Sequence, residues 1–260
     1  MKVLRFLTIL LAAAGSASVA RADWGTLTGQ FVLDGAAPAA TPVNVTKDEA
    51  FCGKHGLVDE SISVNSSNNG ISGIIVFLSV DRGKKAPTPH PDYESTATAE
   101  VRIDNKNCRF EPHVVLLRTG QTLVVGNVDP VGHNSKIDTI KNPPINPIIP
   151  ANQTIQQVFG KEERLPCSIS CSIHPWMKGW VVIKDSPYMA VTDADGKFEI
   201  KNLPTGKFKF QAWQESPGYI TSVSVGGKKT KWSKGTFEQE IKAGDNDLGE
   251  IKVPLASLKK

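Results

Sequence analysis

The stretch FEPHVVLLRTGQTLVVGNVDPVGHN, residues 110–134, decides the fold. It contains two runs rich in valine and leucine, which the turn-like residues RTGQ at 118–121 separate. Runs of this kind, bounded by glycine, proline, asparagine and aspartate, are typical of β-strands. A second turn-like segment then leads to His133. The sequence therefore predicts two strands here, with a histidine just beyond the end of the second one.

The same pattern continues on both sides of this stretch, and helical periodicity is nearly absent. Further strand-like runs are GIIVFLSV (73–80), TIQQVF (154–159), GWVVIKD (179–185) and GKFEIKNLPTGKFKFQAW (196–213). Short strands separated by turn residues predict an all-β fold of sandwiches or barrels. Two units are expected, one over 71–185 and one from 188 towards 255. Asp195 and Gly196 predict a hairpin turn in the second unit.

The N-terminus has the features of a secretory signal peptide. Residues 1–22 carry Lys2 and Arg5, then a mostly apolar run, then the small-residue cleavage pattern Ala20-Arg21-Ala22. We therefore predict an exported protein, periplasmic or extracellular, that begins near Asp23. No later stretch approaches the roughly 20 apolar residues of a membrane helix. No transmembrane segment is expected in the mature chain.

The charge balance gives no reason to expect a nucleic-acid partner. The 30 basic and 26 acidic residues become 27 and 26 once Lys2, Arg5 and Arg21 are removed, which leaves a net charge of +1. The basic stretch GGKKTKWSKG at 226–235 is short and rich in glycine, as a solvated hairpin tip is.

The segment CSIHPWMKG, residues 171–179, places three soft metal ligands close together in a chain with three methionines and five histidines. Cys171, His174 and Met177 are each ordinary in a β-protein when taken alone. Together, on a loop between two strands, they form most of the ligand set of a blue-copper site, which also needs a second histidine. His133 is the candidate. Structural zinc favours a closed set of cysteine and histidine, and calcium and magnesium favour oxygen, so these metals fit less well.

These two stretches resemble the cupredoxin family. Residues 110–134 match a pattern that leads to the first copper histidine, and residues 171–185 resemble the short ligand loop of amicyanin and pseudoazurin-like proteins. The resemblance covers about residues 71–185. It implies a Greek-key β-sandwich with one mononuclear copper ion per chain, bound by His133, Cys171, His174 and Met177. It also implies that Pro175 and Trp176, around a solvent-edge His174, dock a redox protein partner.

The stretch AVTDADGKFEIKNLPTGKFKFQAWQE, residues 190–215, is similar to the carboxypeptidase regulatory-like, transthyretin-type β-sandwich. In that family a further strand precedes this piece, and the only comparable stretch here is residues 25–35. The predicted organisation is a signal peptide (1–22), an N-terminal segment that could complete the C-terminal sandwich (23–70), a cupredoxin domain (71–185) and a carboxypeptidase regulatory-like sandwich (186–260).

The four cysteines leave two questions open. Cys167 and Cys171 have the spacing of the dinuclear copper A centre, but the histidine follows Cys171 one residue too early for that family. On a strand the two thiols would also lie roughly 13 Å apart, at about 3.3 Å per residue. We therefore favour the mononuclear site, with Cys167 as a buried, inert thiol. A disulfide is expected between Cys52 and Cys108, with Cys108–Cys167 as the alternative.

The favoured function is that of an exported one-electron carrier. No nucleophile–base motif is present, so no enzymatic activity is expected. One alternative is a cell-surface structural or interaction protein with a non-essential metal site, and another is a subunit of a multicopper enzyme. The latter would need a second copper site rich in histidine, but only His55, His90 and His113 remain, and each is expected to be structural or exposed.

Overall fold

The computed structural model describes residues 23–259 and is nearly all β, which confirms the predicted fold class. The predicted signal peptide, residues 1–22, lies outside the described residues. No helix within 23–259 is long and apolar enough to cross a membrane. Besides one short α-helix, α1 (Glu49–Cys52), there are 3-10 helices at Gly53–His55, Pro91–Thr96, Ser233–Gly235 and Leu255–Ser257. The strands are β1 (Trp24–Asp34), β2 (Ile75–Ser79), β3 (Glu100–Lys106), β4 (Arg109–Glu111), β5 (Val114–Arg118), β6 (Thr122–Asn127), β7 (His133–Asn134), β8 (Lys136–Ile137), β9 (Ile148–Ile149), β10 (Thr154–Val158), β11 (Cys167–Ser170), β12 (Lys178–Lys184), β13 (Met189–Val191), β14 (Lys197–Pro204), β15 (Gly206–Gln214), β16 (Gly218–Tyr219), β17 (Ser222–Val225), β18 (Lys228–Lys231), β19 (Thr236–Ile241) and β20 (Gly244–Pro254).

A first pair of sheets contains the two strands of the opening stretch. One sheet has the order β10-β6-β3-β4 and the other has the order β5-β12-β11-β8. Alternate residues of these strands, such as Leu123 and Val125 on β6 and Ile169 on β11, enter one core between the sheets. The period of two in a strand sends these side chains to the same face. The turn at Gly120, whose φ is +89°, carries the chain from one sheet to the other.

A second pair of sheets uses strands from both ends of the chain. One sheet has the order β14-β1-β20-β17-β18, so that β1 lies antiparallel to β14 and parallel to β20. The other has the order β13-β2-β15-β16, with β19 also paired to β15. β1 alternates between buried and partly buried residues over Trp24–Gln30, and Leu27 and Phe31 are fully buried in the core between these sheets.

Strand pairing differs from the sequence-based expectation at two places. β2 falls inside the range 71–185 assigned to the first unit, but it pairs with β13 and β15 of the second pair of sheets. The turn at Asp195 and Gly196 is not a hairpin, because β13 before it pairs with β2 whereas β14 after it pairs with β1. A run of apolar residues predicts a strand, but its hydrogen-bonding partner depends on segments far away in sequence.

The segment 41–58 lies against the first core. Phe51, Cys52 and Leu57 pack on it, and the disulfide between Cys52 and Cys108 fixes α1 to the turn between β3 and β4. This is the pairing that the sequence predicted. Val43 donates its N–H to the carbonyl of Leu57 at 2.9 Å, which closes the segment on itself. We call residues 41–58 the cover segment, because of its position at the site described next.

Candidate metal centre

The predicted ligands lie at one end of the first pair of sheets. His133 is the first residue of β7, and Cys171, His174 and Met177 lie on the loop between β11 and β12. Two backbone hydrogen bonds close this loop: Met177 donates to the carbonyl of His174 at 2.9 Å, and Cys171 donates to the carbonyl of Met177 at 3.3 Å. The short loop therefore folds back on itself between two fixed strands.

Three of the four side chains converge. One donor atom from each of His133, Cys171 and His174 lies within 4.8 Å of the others, and all three residues are buried. The Sγ of Cys171 is 3.9 Å from Nδ1 of His133 and 3.7 Å from Nδ1 of His174. Met177 is also buried and belongs to the same core cluster as Cys171. Cys167 is not part of this group.

Asn134, next to His133, connects the two halves of the site. Its Oδ1 accepts the backbone N–H of Ser172 at 2.7 Å and lies 3.3 Å from the N–H of Ile173. The same oxygen is 3.4 Å from the Sγ of Cys171. A buried amide that satisfies backbone donors in this way holds the ligand loop against β7.

Each imidazole meets a carboxylate on the side away from the thiol. For His133 that carboxylate is Asp129, whose Oδ2 is 2.9 Å from Nε2. Asp129 is buried and also accepts the N–H groups of Asn107 and Cys108, at 2.6 and 2.9 Å. An ionised carboxylate only accepts hydrogen bonds, so Nε2 of His133 carries the hydrogen.

For His174 the carboxylate is Asp48, which sequence reasoning did not identify. Its Oδ2 is 2.8 Å from Nε2 of His174, across 126 positions of the chain. The expectation that His174 lies at the solvent edge is wrong, because its side chain is 0% exposed. No local sequence signal marks this contact, since Asp48 lies on the cover segment far from either ligand stretch.

The charges of the site favour an ionised thiol. Burial opposes ionisation of Cys171, but its contacts with the imidazoles of His133 and His174 and with the backbone of Asn134 and His174 outweigh burial and lower the thiol pKa to about 6. Burial would lower the pKa of His133, but its hydrogen bonds to Asp129 and Cys171 raise it. Burial would raise the pKa of Asp129, but hydrogen bonds from His133 and two backbone N–H groups lower it. An imidazole whose pKa is raised and a thiol whose pKa is lowered thus face each other in a buried space.

The other thiol is different. Cys167 is buried and free, and burial raises its pKa to about 12. It stays protonated at neutral pH and is a poor ligand, because the thiolate is the form that binds metals. Cys52 and Cys108 are oxidised to the disulfide and are unavailable.

The residues expected to dock a partner lie at the surface beside the site. Pro175 is exposed and Trp176 is half-buried. The Trp176 ring lies edge-on to His174, with ring centroids 5.2 Å apart, and its Nε1 donates to the carbonyl of Cys108 at 3.1 Å. Both residues line a groove of about 500 Å³ that the cover segment also borders.

The remaining histidines lie away from the thiol. His55 and His90 are partly exposed. His113 lies between two carboxylates, with Nε2 at 2.9 Å from Glu215 and Nδ1 at 3.7 Å from Glu60. His113 and these two carboxylates line a cavity between the two pairs of sheets. His113 therefore takes part in an ion pair there and is not close to the thiol.

No protein-family model matches this chain, and no curated protein matches it. Several solved structures match part of it. A purple cupredoxin from Nitrosopumilus maritimus is 26% identical, with a TM-score of 0.28, over 33% of this chain and 99% of the other. A copper-containing nitrite reductase from Thermus scotoductus is 21% identical, with a TM-score of 0.30, over 42% of this chain and 25% of the other. A mutant amicyanin in the Cu(I) form is 18% identical, with a TM-score of 0.30, over 33% of this chain and 82% of the other.

Proposed function

We propose that this protein is an exported one-electron carrier that binds one copper ion through His133, Cys171, His174 and Met177. The observation that supports this most directly is the convergence of two imidazoles and an ionisable thiol in one buried place. A free thiol in an exported protein is open to oxidation, so a buried thiol paired with two histidines is best explained as a ligand.

The chemistry of the donor set fits copper. Thiolate, imidazole and thioether are soft or intermediate ligands, which suit copper better than calcium or magnesium. Nε2 of each histidine faces a carboxylate, which leaves Nδ1 on the side of the thiol, where a metal would be bound. Only an unprotonated nitrogen binds a metal, so a proton held on either Nδ1 would be released when the metal binds.

A bound copper ion would supply the one-electron step by cycling between its cuprous and cupric forms. The chain's own residues would fix the positions of the ligands and exclude water from them. The two loop hydrogen bonds and Asn134 fix the positions of Cys171 and His174. Burial of both histidines and of Met177 excludes water from the site. Ligands that keep their positions suit both oxidation states and lower the reorganisation energy of electron transfer.

The electron would pass to a redox protein that docks at the surface of Pro175 and Trp176. Trp176 contacts His174 and also reaches the surface, so it connects the buried site to the groove. In this proposal the protein is a carrier and has no catalytic residues of its own. The second pair of sheets is proposed to be an accessory, carboxypeptidase regulatory-like domain, to which we assign no chemistry. The disulfide agrees with an oxidising compartment such as the periplasm.

The test is the visible absorption spectrum of the protein loaded with cupric ion. We expect an intense thiolate-to-copper band in the wild type and in the control Cys167→Ser, and its loss in Cys171→Ser. One copper ion per chain should be bound. A mixed-valence signal that needs both cysteines would indicate a dinuclear centre instead. A colourless wild type would overturn the proposal and favour the interaction protein with a non-essential site.

A further inference from the structure

We propose that Asp48 is a positioning residue for His174, and that the cover segment that carries it closes the solvent edge of the metal centre. This rests on the proposed function, in which His174 is a copper ligand. It adds a residue from outside both ligand stretches, on a part of the chain that precedes the first ligand by 85 positions (133 minus 48).

The Asp48 carboxylate does not make the local hydrogen bond that its position allows. Asp48 occupies the N-cap position of α1, where an aspartate side chain normally accepts a backbone N–H of the first turn. Its side chain makes no such hydrogen bond here. The carboxylate points to Nε2 of His174 at 2.8 Å instead, so an interaction with a distant residue has replaced the ordinary local one.

The backbone of Asp48 has a left-handed conformation. Asp48 has φ +48° and ψ +40°, a left-handed conformation that aspartate and asparagine adopt more readily than most residues. The carbonyl of Asp48 accepts the N–H groups of Phe51 and Cys52, at 2.9 and 2.8 Å, which fixes this conformation at the start of the helix. The backbone from which the carboxylate projects is therefore fixed.

The disulfide anchors the cover segment beside the metal centre. Four residues after Asp48, Cys52 is bonded to Cys108, and Cys108 also donates its N–H to Asp129 and accepts from Trp176. The turn at Cys108 thus supports the carboxylate behind each histidine, Asp129 directly and Asp48 through the disulfide. This arrangement fixes both imidazoles from outside the metal centre.

Two consequences follow for the metal centre. The hydrogen bond keeps the proton of His174 on Nε2 and makes Nδ1 a stronger metal ligand, as a carboxylate partner does for metal-bound histidines. A negative charge on this side also favours the cupric form over the cuprous form. Because His174 is fully buried, a partner can approach the metal only through neighbouring residues such as Trp176.

Two substitutions separate the charge from the hydrogen bond. Asp48→Asn removes the charge but keeps an oxygen that can accept from Nε2. Asp48→Gly removes both, and glycine adopts the left-handed backbone without strain. Glu49→Gln is the matched control, because Glu49 is an exposed acid on the same helix.

The first measurement needs no metal. In ¹⁵N-labelled metal-free protein, the Nε2 proton of His174 should exchange slowly with water in the wild type and in Glu49→Gln, and rapidly in Asp48→Gly. The second and third measurements use copper. Asp48→Gly should bind cuprous ion at least about tenfold more weakly in competition with a chelator. Asp48→Asn should lower the ratio of cupric to cuprous protein at a fixed potential about tenfold. For one electron this is a rise in reduction potential of roughly 59 mV.

The proposal is overturned if the Nε2 proton of Asp48→Gly exchanges as slowly as in the wild type. It is also overturned if Asp48→Asn has the same reduction potential as Glu49→Gln. If the wild type binds no copper, the proposed function fails, and the proton exchange still decides whether Asp48 holds His174.

Discussion

Replacing His113 with glutamine should remove a pH dependence of stability that this one side chain supplies. His113 lies between Glu215 and Glu60 and is about one-fifth exposed. Burial would lower its pKa, but the hydrogen bond to Glu215 and the negative charges of Glu215 and Glu60 outweigh burial and raise the pKa from 6.5 to about 9. In the unfolded chain these neighbours are lost and the ordinary value returns.

The sign and the size follow from this difference. Below pH 6.5 the imidazole is protonated in both states, and its full stabilisation is present. Above that pH the unfolded chain releases the proton while the folded chain keeps it, so the stabilisation falls until the pH has risen past about 9. At about 1.4 kcal/mol per pKa unit, the total lost is about 3 kcal/mol.

The assay is urea unfolding of the metal-free protein, followed by tryptophan fluorescence, at pH 6 and near pH 10. Cys171 has a lowered pKa of about 6 and contributes in the opposite direction, because its stabilisation is gained as the pH rises. This contribution is common to both proteins and cancels in their difference. The free energy of unfolding of the wild type minus that of His113→Gln should be about 3 kcal/mol larger at pH 6 than near pH 10. A change in this difference below about 1 kcal/mol would refute the reasoning.

Three further variants test the scaffold and the site. Replacing Cys52 and Cys108 together with serine removes a crosslink between positions 56 apart, and should lower the free energy of unfolding by about 4 kcal/mol in urea titration. Gly196→Ala should cost about 3 kcal/mol in the same assay, because φ is +76° and the new Cβ would collide with the carbonyl oxygen of Phe31. Asn134→Ala should cost about 1–3 kcal/mol through the backbone donors that it leaves without a partner. It should also weaken copper binding, as measured by chelator competition.

Controls separate these effects from general sensitivity. Gly160→Ala adds a Cβ that meets nothing within 4 Å, so it should change stability by less than about 0.5 kcal/mol. Cys167→Ser alters a thiol outside the disulfide, and should not reproduce the loss caused by the double serine variant. An unchanged stability of the double variant would mean that the cover segment holds its place without the crosslink.

The fold class could be predicted from the sequence because it depends on local patterns. Alternating apolar residues and turn residues predict strands wherever the chain places them. The candidate ligands could be proposed for the same reason, since Cys171 and His174 are three positions apart on one loop. The disulfide followed from assigning the other cysteines.

The parts that sequence reasoning missed all depend on contacts across long distances in the chain. β2 has the composition of any buried strand, and nothing in its residues tells that it pairs with β15 rather than with β6. The turn at Gly196 has the residues of a hairpin, but its strands enter different sheets. The contact of Asp48 with His174 joins a short polar segment to a distant loop, and a single aspartate carries no signal for such a partner.

The position of β1 has a consequence for how the chain is made. Its residue Gly25 pairs with Gly244, so β1 is synthesised well before its parallel neighbour β20. At about 5–20 residues per second, the 219 positions between them take on the order of 10 to 40 seconds to synthesise. The strands of the metal-site core are finished long before that time. Until β20 arrives, the edge of β1 that pairs with it has no strand partner. An unpaired strand edge can pair with another chain, so the growing protein is exposed to aggregation during that interval.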